Sequence, residues 1–268
     1  MKEIYRKTSK VSFIGGIGAA IFGIIFYIFG YEDFSSNGDI LFEAGLFALI
    51  FIGAGFYFKN AHGKLSNETR STEEGILNLA DLNELNLQRV PALLLKMYNV
   101  DSNGNPLFKI EPSANKLSKW LTFFELFQKG FIIPMHYQIS DMDGQLLATF
   151  TIKNNVKRDE LTLRTSNGTL LCTYIQHLSK SALKNRGVLY HADGSVWREL
   201  AAKSMAGDID VKDEEGRMTA SYRFGVFPHA MKPAFQSTAH HEHVRFGAHI
   251  ASEEKLAYIM IFFLWLKG

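Results

Sequence analysis

The chain has a single cysteine, Cys172. That excludes an intramolecular disulfide, a thiolate zinc site and a Cys-x-x-Cys redox pair, and it fits a reducing compartment. Blocks of like charge are also missing. Lys and Arg number 29 against 27 Asp and Glu, a net charge of +2, which is too near balance for the basic face or tail of a nucleic-acid binder. No G-x-S-x-G, P-loop or kinase signature occurs. Cys172 falls in an alternating strand pattern, as a small buried side chain does and a nucleophile does not. With no catalytic constellation to read, we expect a non-catalytic protein without a cofactor.

What the chain does contain is unevenly placed apolar sequence. Residues 11–30 read VSFIGGIGAAIFGIIFYIFG, uncharged throughout, and residues 40–58 read ILFEAGLFALIFIGAGFYF, interrupted only by Glu43. Each matches the ~20 apolar residues that cross a hydrocarbon core, and Glu43 stands about one helical turn inside the expected boundary, where a charge costs little. Lys2, Arg6, Lys7 and Lys10 precede the first run, and Lys59, Lys64 and Arg70 follow the second. The loop between holds Glu32, Asp33 and Asp39 and no base. The positive-inside rule therefore predicts a multi-pass hairpin with both termini cytoplasmic. A signal peptide has a shorter apolar region and a small-x-small cleavage site. The GGIGAA string has no strand before it, which removes the nucleotide-loop reading. Gly15 with Ala19, Gly16 with Ala20 and Ala19 with Gly23 either prepare close helix packing and self-association or reflect the general frequency of small residues in membrane helices.

The spacing divides the chain into a cytoplasmic N-terminus at 1–10, the hairpin at 11–58, a juxtamembrane linker at 59–87 and a soluble domain at 88–268. In the linker, Ser71 or Thr72 with Glu73 and Glu74 predicts a helix start, followed by leucines 77, 79, 82, 85 and 87. Leu117, Trp120, Leu121, Phe124 and Phe127 recur at helical steps and predict a helix over 115–129, stopped by Gly130, whose apolar face packs on the domain or touches the bilayer surface. Elsewhere the pattern is one of short hairpins. Turn sequences ending in glycine stand at 101–104, 141–144, 166–168, 191–194 and 213–216, and the flanking residues alternate apolar and polar. The last segment, 252–267, begins with Ser252, Glu253 and Glu254 and is then apolar on every side. A helix of that kind needs apolar surroundings, yet it is too short to span a bilayer. The economical answer is an α+β domain in which a β-barrel wraps the helix.

The hairpin turns at 99–113, 137–153 and 186–197 together with YIMIFFLWL at 258–266 resemble the tubby C-terminal-like superfamily, which includes LURP-one-related proteins and phospholipid scramblases. The likeness covers the C-terminal two thirds of the chain. It implies a closed antiparallel β-barrel around a central helix and contact with lipid headgroups. No residue-by-residue match to the tubby phosphoinositide motif is found, and the cysteine-rich acylation segments of scramblases are absent.

Lys180, Lys184 and Arg186 form a cationic cluster that attracts anionic headgroups if it lies near a membrane, and an ordinary solvated loop if it does not. His241 and His243, two apart in a strand and flanked by His240 and His249, offer two metal ligands where a site needs a third, so no metal is expected. The Asp pair at 141 and 143 and the Asp trio at 208, 210 and 213 lack EF-hand spacing and read as turn chemistry. The resulting expectation is a membrane-anchored lipid-binding or scaffold module facing the cytoplasm, with membrane lipids as partners. The alternative is a scramblase-like lipid-translocating protein.

Overall fold

The computed structural model describes residues 2–29, 37–66, 79–90, 94–101, 105–114, 116–123, 125–155, 157–178, 185–203, 208–225 and 241–265. They fall into two units, a helical hairpin and a β-barrel.

Helices α1 (Lys2–Phe29) and α2 (Asn37–Ser66) form the hairpin. Within them Tyr5–Phe29, 25 residues, and Asp39–Asn60, 22 residues, are long and apolar enough to cross a membrane. Glycines let the two backbones approach: a Cβ on Gly16 would stand 2.7 Å from Ile52 and 3.1 Å from the Ala48 carbonyl oxygen, and one on Gly23 would stand 2.6 Å from Ala44 Cβ. Ser9 Oγ donates to the Gly55 carbonyl at 2.9 Å, and the Phe13 ring meets Phe56 edge-on at 5.1 Å. Small residues on α1 thus serve packing within the hairpin. Its outer surface, including Ile14, Ile21, Phe22, Phe42, Leu49 and Phe56, is exposed.

Among the described residues the second unit is a single antiparallel sheet of twelve strands. In chain order these are β1 (Glu84–Val90), β2 (Lys96–Val100), β3 (Pro106–Pro112), β4 (Met135–Asp141), β5 (Leu146–Asn154) and β6 (Arg158–Thr165). There follow β7 (Leu170–His177), β8 (Arg186–His191), β9 (Val196–Ala201), β10 (Ile209–Lys212), β11 (Met218–Gly225) and β12 (His241–Phe246). Each strand pairs with its chain neighbour, and β12 returns to β1 with Val244 opposite Leu85. Among the described residues the one interval without a ladder lies between β9 and β10. It is bridged by the Lys203 amide, which donates to the Asp208 carbonyl at 2.7 Å, and by Lys203 Nζ, 2.5 Å from Asp210. The result is a nearly closed barrel.

Helix α3 (Ser252–Trp265) fills it, with every residue from Ala257 to Phe263 fully buried. Fourteen helical residues rise ~21 Å, close to the length of the surrounding strands. Phe263 packs edge-on against Tyr137 and Phe150 at 5.0 and 5.3 Å. Phe262 stacks on Tyr222 at 4.9 Å, and Trp265 Nε1 donates to Gln176 Oε1 at 3.1 Å. α3 runs from an entry mouth, lined by the β2–β3, β4–β5, β6–β7, β8–β9 and β10–β11 turns, to an exit mouth at the opposite strand ends.

Those five entry-mouth hairpins share one device. In each, the register slips by one residue on the returning strand. The extra residue stands three places after the turn glycine: Leu107, Leu147, Leu171, Trp197 and Thr219. A bulge of this kind re-aims a side chain, and the first four pack, partly buried, against the core. Gly144, Gly168, Gly194 and Gly216 all take positive φ, as the turn sequences predict.

Two helical expectations need correction. Leu85 and Leu87 belong to β1, not to a linker helix: they are two residues apart and fully buried, and pairing with both β2 and β12 outweighs local helix propensity. The barrel wall therefore starts at Glu84, and among the described residues of the linker a short 3-10 turn, Leu79–Asp81, precedes it. The proposed cap at 71–74 lies outside the described residues. The helix expected over 115–129 is instead two 3-10 helices, Leu117–Phe123 and Glu125–Lys129. This connection is pinned to the barrel rim, because Tyr137 Oη donates to the Gln128 carbonyl at 2.6 Å and Gln128 Nε2 donates to the Thr122 carbonyl at 2.7 Å. Gly130 does stop it: φ is +74°, and a Cβ there would stand 2.2 Å from the Ile152 carbonyl oxygen.

Candidate functional site

With α3 occupying the interior, the places left for recognition are the two mouths and the outer wall. The entry mouth holds a cleft of about 400 Å³ lined by Arg198, Asp213, Arg217, His249 and Glu254 among others. Its charges face one another. Asp213 is 2.8 Å from Arg217 and 3.3 Å from His249, while Arg198 is 3.1 Å from Glu254. Tyr258 Oη donates to the same Glu254 carboxylate at 2.7 Å. These contacts close the mouth over the start of α3.

The exit mouth has a different chemistry. The β3–β4 connection exposes Leu117 by 87%, Trp120 by 56% and Ile132 by 74%. Ile133 is exposed as well. Lys119 Nζ lies 5.6 Å from the centre of the Trp120 ring, a cation–π distance, and also donates to the Ala114 carbonyl at 3.0 Å. Around the same rim stand Lys116, Lys129, Lys153 and Lys157. Ile132 has φ of +67°, a conformation that β-branched residues avoid. The loop holding it is firmly built: the Asn154 amide donates to the Gly130 carbonyl at 3.0 Å, and the Ile133 amide donates to the Phe131 carbonyl at 2.8 Å.

Of the cations singled out in the sequence, Arg186 is exposed on the first residue of β8, at the exit mouth. Lys180 and Lys184 lie outside the described residues. His243 turns to β1, its Nδ1 3.1 Å from Asn86 Oδ1 and its Nε2 3.8 Å from Glu84. His249 is at the other mouth with Asp213, and His240 lies outside the described residues. Among the described residues no three His, Cys, Asp or Glu side chains gather as a metal site. Asp141 Oδ1 accepts the amides of Asp143 and Gln145 at 3.0 and 2.7 Å, which is turn chemistry. Cys172 is fully buried, and burial pushes its thiol up to about 12, leaving it protonated. Sequence reasoning did not single out Ile132 and Ile133. Their signal is the FIIP run, apolar residues caught between a helix-stopping glycine and a proline.

No model of a known protein family matches this chain, and no curated protein matches it in sequence. Among solved structures it is similar to a protein of Arabidopsis thaliana known from its X-ray structure, with 12% identity and a TM-score of 0.40, over 70% of this chain and 95% of that one.

Proposed function

We propose that the protein is a membrane-anchored, non-catalytic lipid-binding or scaffold module of the tubby C-terminal-like kind, its barrel held on the cytoplasmic side by the α1–α2 hairpin. The observation that carries this reading is the pairing of a hairpin whose outer surface is apolar with a barrel whose centre is occupied by its own helix. Contiguous apolar surface on this scale calls for lipid or partner cover. An eight-stranded ligand-carrying barrel keeps its interior for a guest. This one spends its interior on α3, so recognition belongs to its outer surfaces. The lipid-translocating alternative has less support, because a polar path needs polar side chains along the spans and both spans are strongly apolar, with the Ser9 hydroxyl bonded to Gly55.

Cys172 is inaccessible, so single introduced cysteines report without background. A membrane-impermeant maleimide should label Ser35→Cys on intact cells and Ser66→Cys only after lysis. The reverse pattern would remove the cytoplasmic placement, and equal labelling of both would remove the hairpin. For lipid binding, hydrogen exchange of the full chain in nanodiscs should show barrel amides slowed by phosphatidylserine relative to phosphatidylcholine alone. Identical exchange would leave only the scaffold role. Transfer of labelled lipid between leaflets of reconstituted liposomes would favour the translocating alternative.

A further inference from the structure

Resting on that reading and naming the surface it uses, we propose that the β3–β4 connection at the exit mouth is the barrel's docking face for an anionic lipid bilayer. In this arrangement Leu117, Trp120, Ile132 and Ile133 enter the interfacial layer while the surrounding lysines meet headgroups.

Three observations converge on it. The first is apolar exposure in a rigid setting. Ile132 and Ile133 follow a glycine locked against β5, so their outward display is built into the loop. A β-branched side chain at φ +67° stores strain, and strain of this kind concentrates at functional sites. The second is residue type. An exposed tryptophan and aliphatic side chains interleaved with lysine are what the interfacial layer selects, with the amphipathic ring at headgroup level and long cationic stems reaching outward.

The third is charge complementarity between the two ends. The described entry-mouth turns carry Asp101, Asp141, Asp143, Asp193, Asp213, Glu214 and Glu215, with Arg217 engaged by Asp213 and Glu215. The exit rim carries Lys116, Lys119, Lys129, Lys153, Lys157 and Arg186; of the carboxylates at that end, Asp210 is paired with Lys203 and Arg223, Asp208 accepts the Phe224 amide, and Asp159 and Glu242 are largely buried. Cations near an anionic leaflet are attracted, while the acidic end is repelled, so the field orients the barrel with its exit mouth toward lipid. The covalent link to the hairpin keeps a bilayer at high effective concentration.

The test uses the full chain in vesicles of phosphatidylcholine with about 30% phosphatidylserine, the lipids brominated on their acyl chains. Subtracting the Trp120→Phe spectrum isolates Trp120. We expect its fluorescence to fall by about twofold relative to unbrominated vesicles, and the loss to disappear in Lys116→Glu/Lys119→Glu/Lys129→Glu or at ~0.5 M salt. Ile132→Asn, which accepts positive φ, should keep or raise the melting temperature while reducing the quenching, separating lipid contact from folding. A fluorophore on Ser166→Cys watches the entry mouth. If it is quenched and Trp120 is not, lipid binding stands and this face is wrong. If neither is quenched, the barrel stays clear of lipid and the lipid-binding reading falls too. Trp120 protected by cross-linkable dimer formation in place of lipid would also overturn the proposal.

Discussion

Thr219 Oγ1, on the bulge of β11, lies 2.9 Å from Tyr258 Oη on α3. It is the one polar side chain among the five bulge positions, and it shares its proton with the Val211 carbonyl at 3.2 Å. Tyr258 in turn donates to Glu254. Where the other four bulges offer grease to the core, this one fixes the rotation of the helix within the wall.

Tyr258→Phe should therefore destabilise the barrel by about 2 kcal/mol, the worth of a hydrogen bond to a charged acceptor. The variant keeps the ring that stacks near Phe262, so packing is conserved. Thermal unfolding of the full chain in detergent, followed by near-UV circular dichroism, reads the change; an unchanged midpoint would show that the network contributes nothing.

Arg198→Met should cost more, about 3 kcal/mol, because it strands a carboxylate whose side chain is only 8% exposed. Adding Glu254→Gln to it should restore part of the loss, since an uncharged amide tolerates the site better. A double mutant no better than the single would contradict the ion-pair account.

Two inward-facing carboxylates at the exit mouth predict a pH effect of opposite sign to ordinary acid denaturation. Burial pushes Glu242 up to about 7, and burial also raises Asp159, against the counter-effects of Lys129 and its 2.5 Å hydrogen bond from Asn154. A carboxyl raised in the folded state binds its proton there longer than in the unfolded chain. Its contribution to stability is thus present below the unfolded value near 4.5 and is lost as pH rises through about 7. His136, held down by burial and by Lys116, acts the other way around its ordinary value. The comparison of Glu242→Gln with the parent cancels it. The variant should match the parent at acid pH and exceed it in stability above pH ~7; a constant difference across the range would refute the assignment.

Asn99 is fully buried on β2, and among the described residues neither its Oδ1 nor its Nδ2 has a partner. It stands opposite Leu87 and Phe108, both core residues. Leaving such an amide unbonded costs about 1 to 3 kcal/mol, so Asn99→Leu should raise the unfolding midpoint. A lowered midpoint would reveal a buried water or other polar partner at this position.

In the hairpin, Gly23→Leu should force the helices apart, because even a Cβ there meets Ala44 Cβ at 2.6 Å. Gly18, with nothing within 4 Å of an added Cβ, is the matched control. Helix pairing measured by disulfide formation between cysteines introduced at Phe13 and Phe56 should fall in the first variant and persist in the second.

The two long apolar helices, the glycine turns and the buried terminal helix were legible in the sequence because each follows from a local rule: run length, tolerance of positive φ, or apolarity all round a short segment. Leu85 and Leu87 are ambiguous in sequence because the same residues satisfy a loose helical spacing and a strict alternation, and pairing with distant β12 selects between them. The exit-mouth patch was hidden for a related reason. Leu117 and Trp120 look like the buried face of a helix until the pinned 3-10 geometry turns them outward, and the display of Ile132 depends on the close approach of Gly130 to a strand more than twenty residues downstream.

The unladdered interval between β9 and β10 bears on how the molecule is assembled. α3 follows all twelve strands in chain order, so the wall exists as sequence before its filling does. A sheet hydrogen-bonded full circle would have no side door. Here the seam between β9 and β10 is held at one end by the chain that joins them and its Lys203–Asp208 bond, so the wall can spread toward the other end without breaking a ladder.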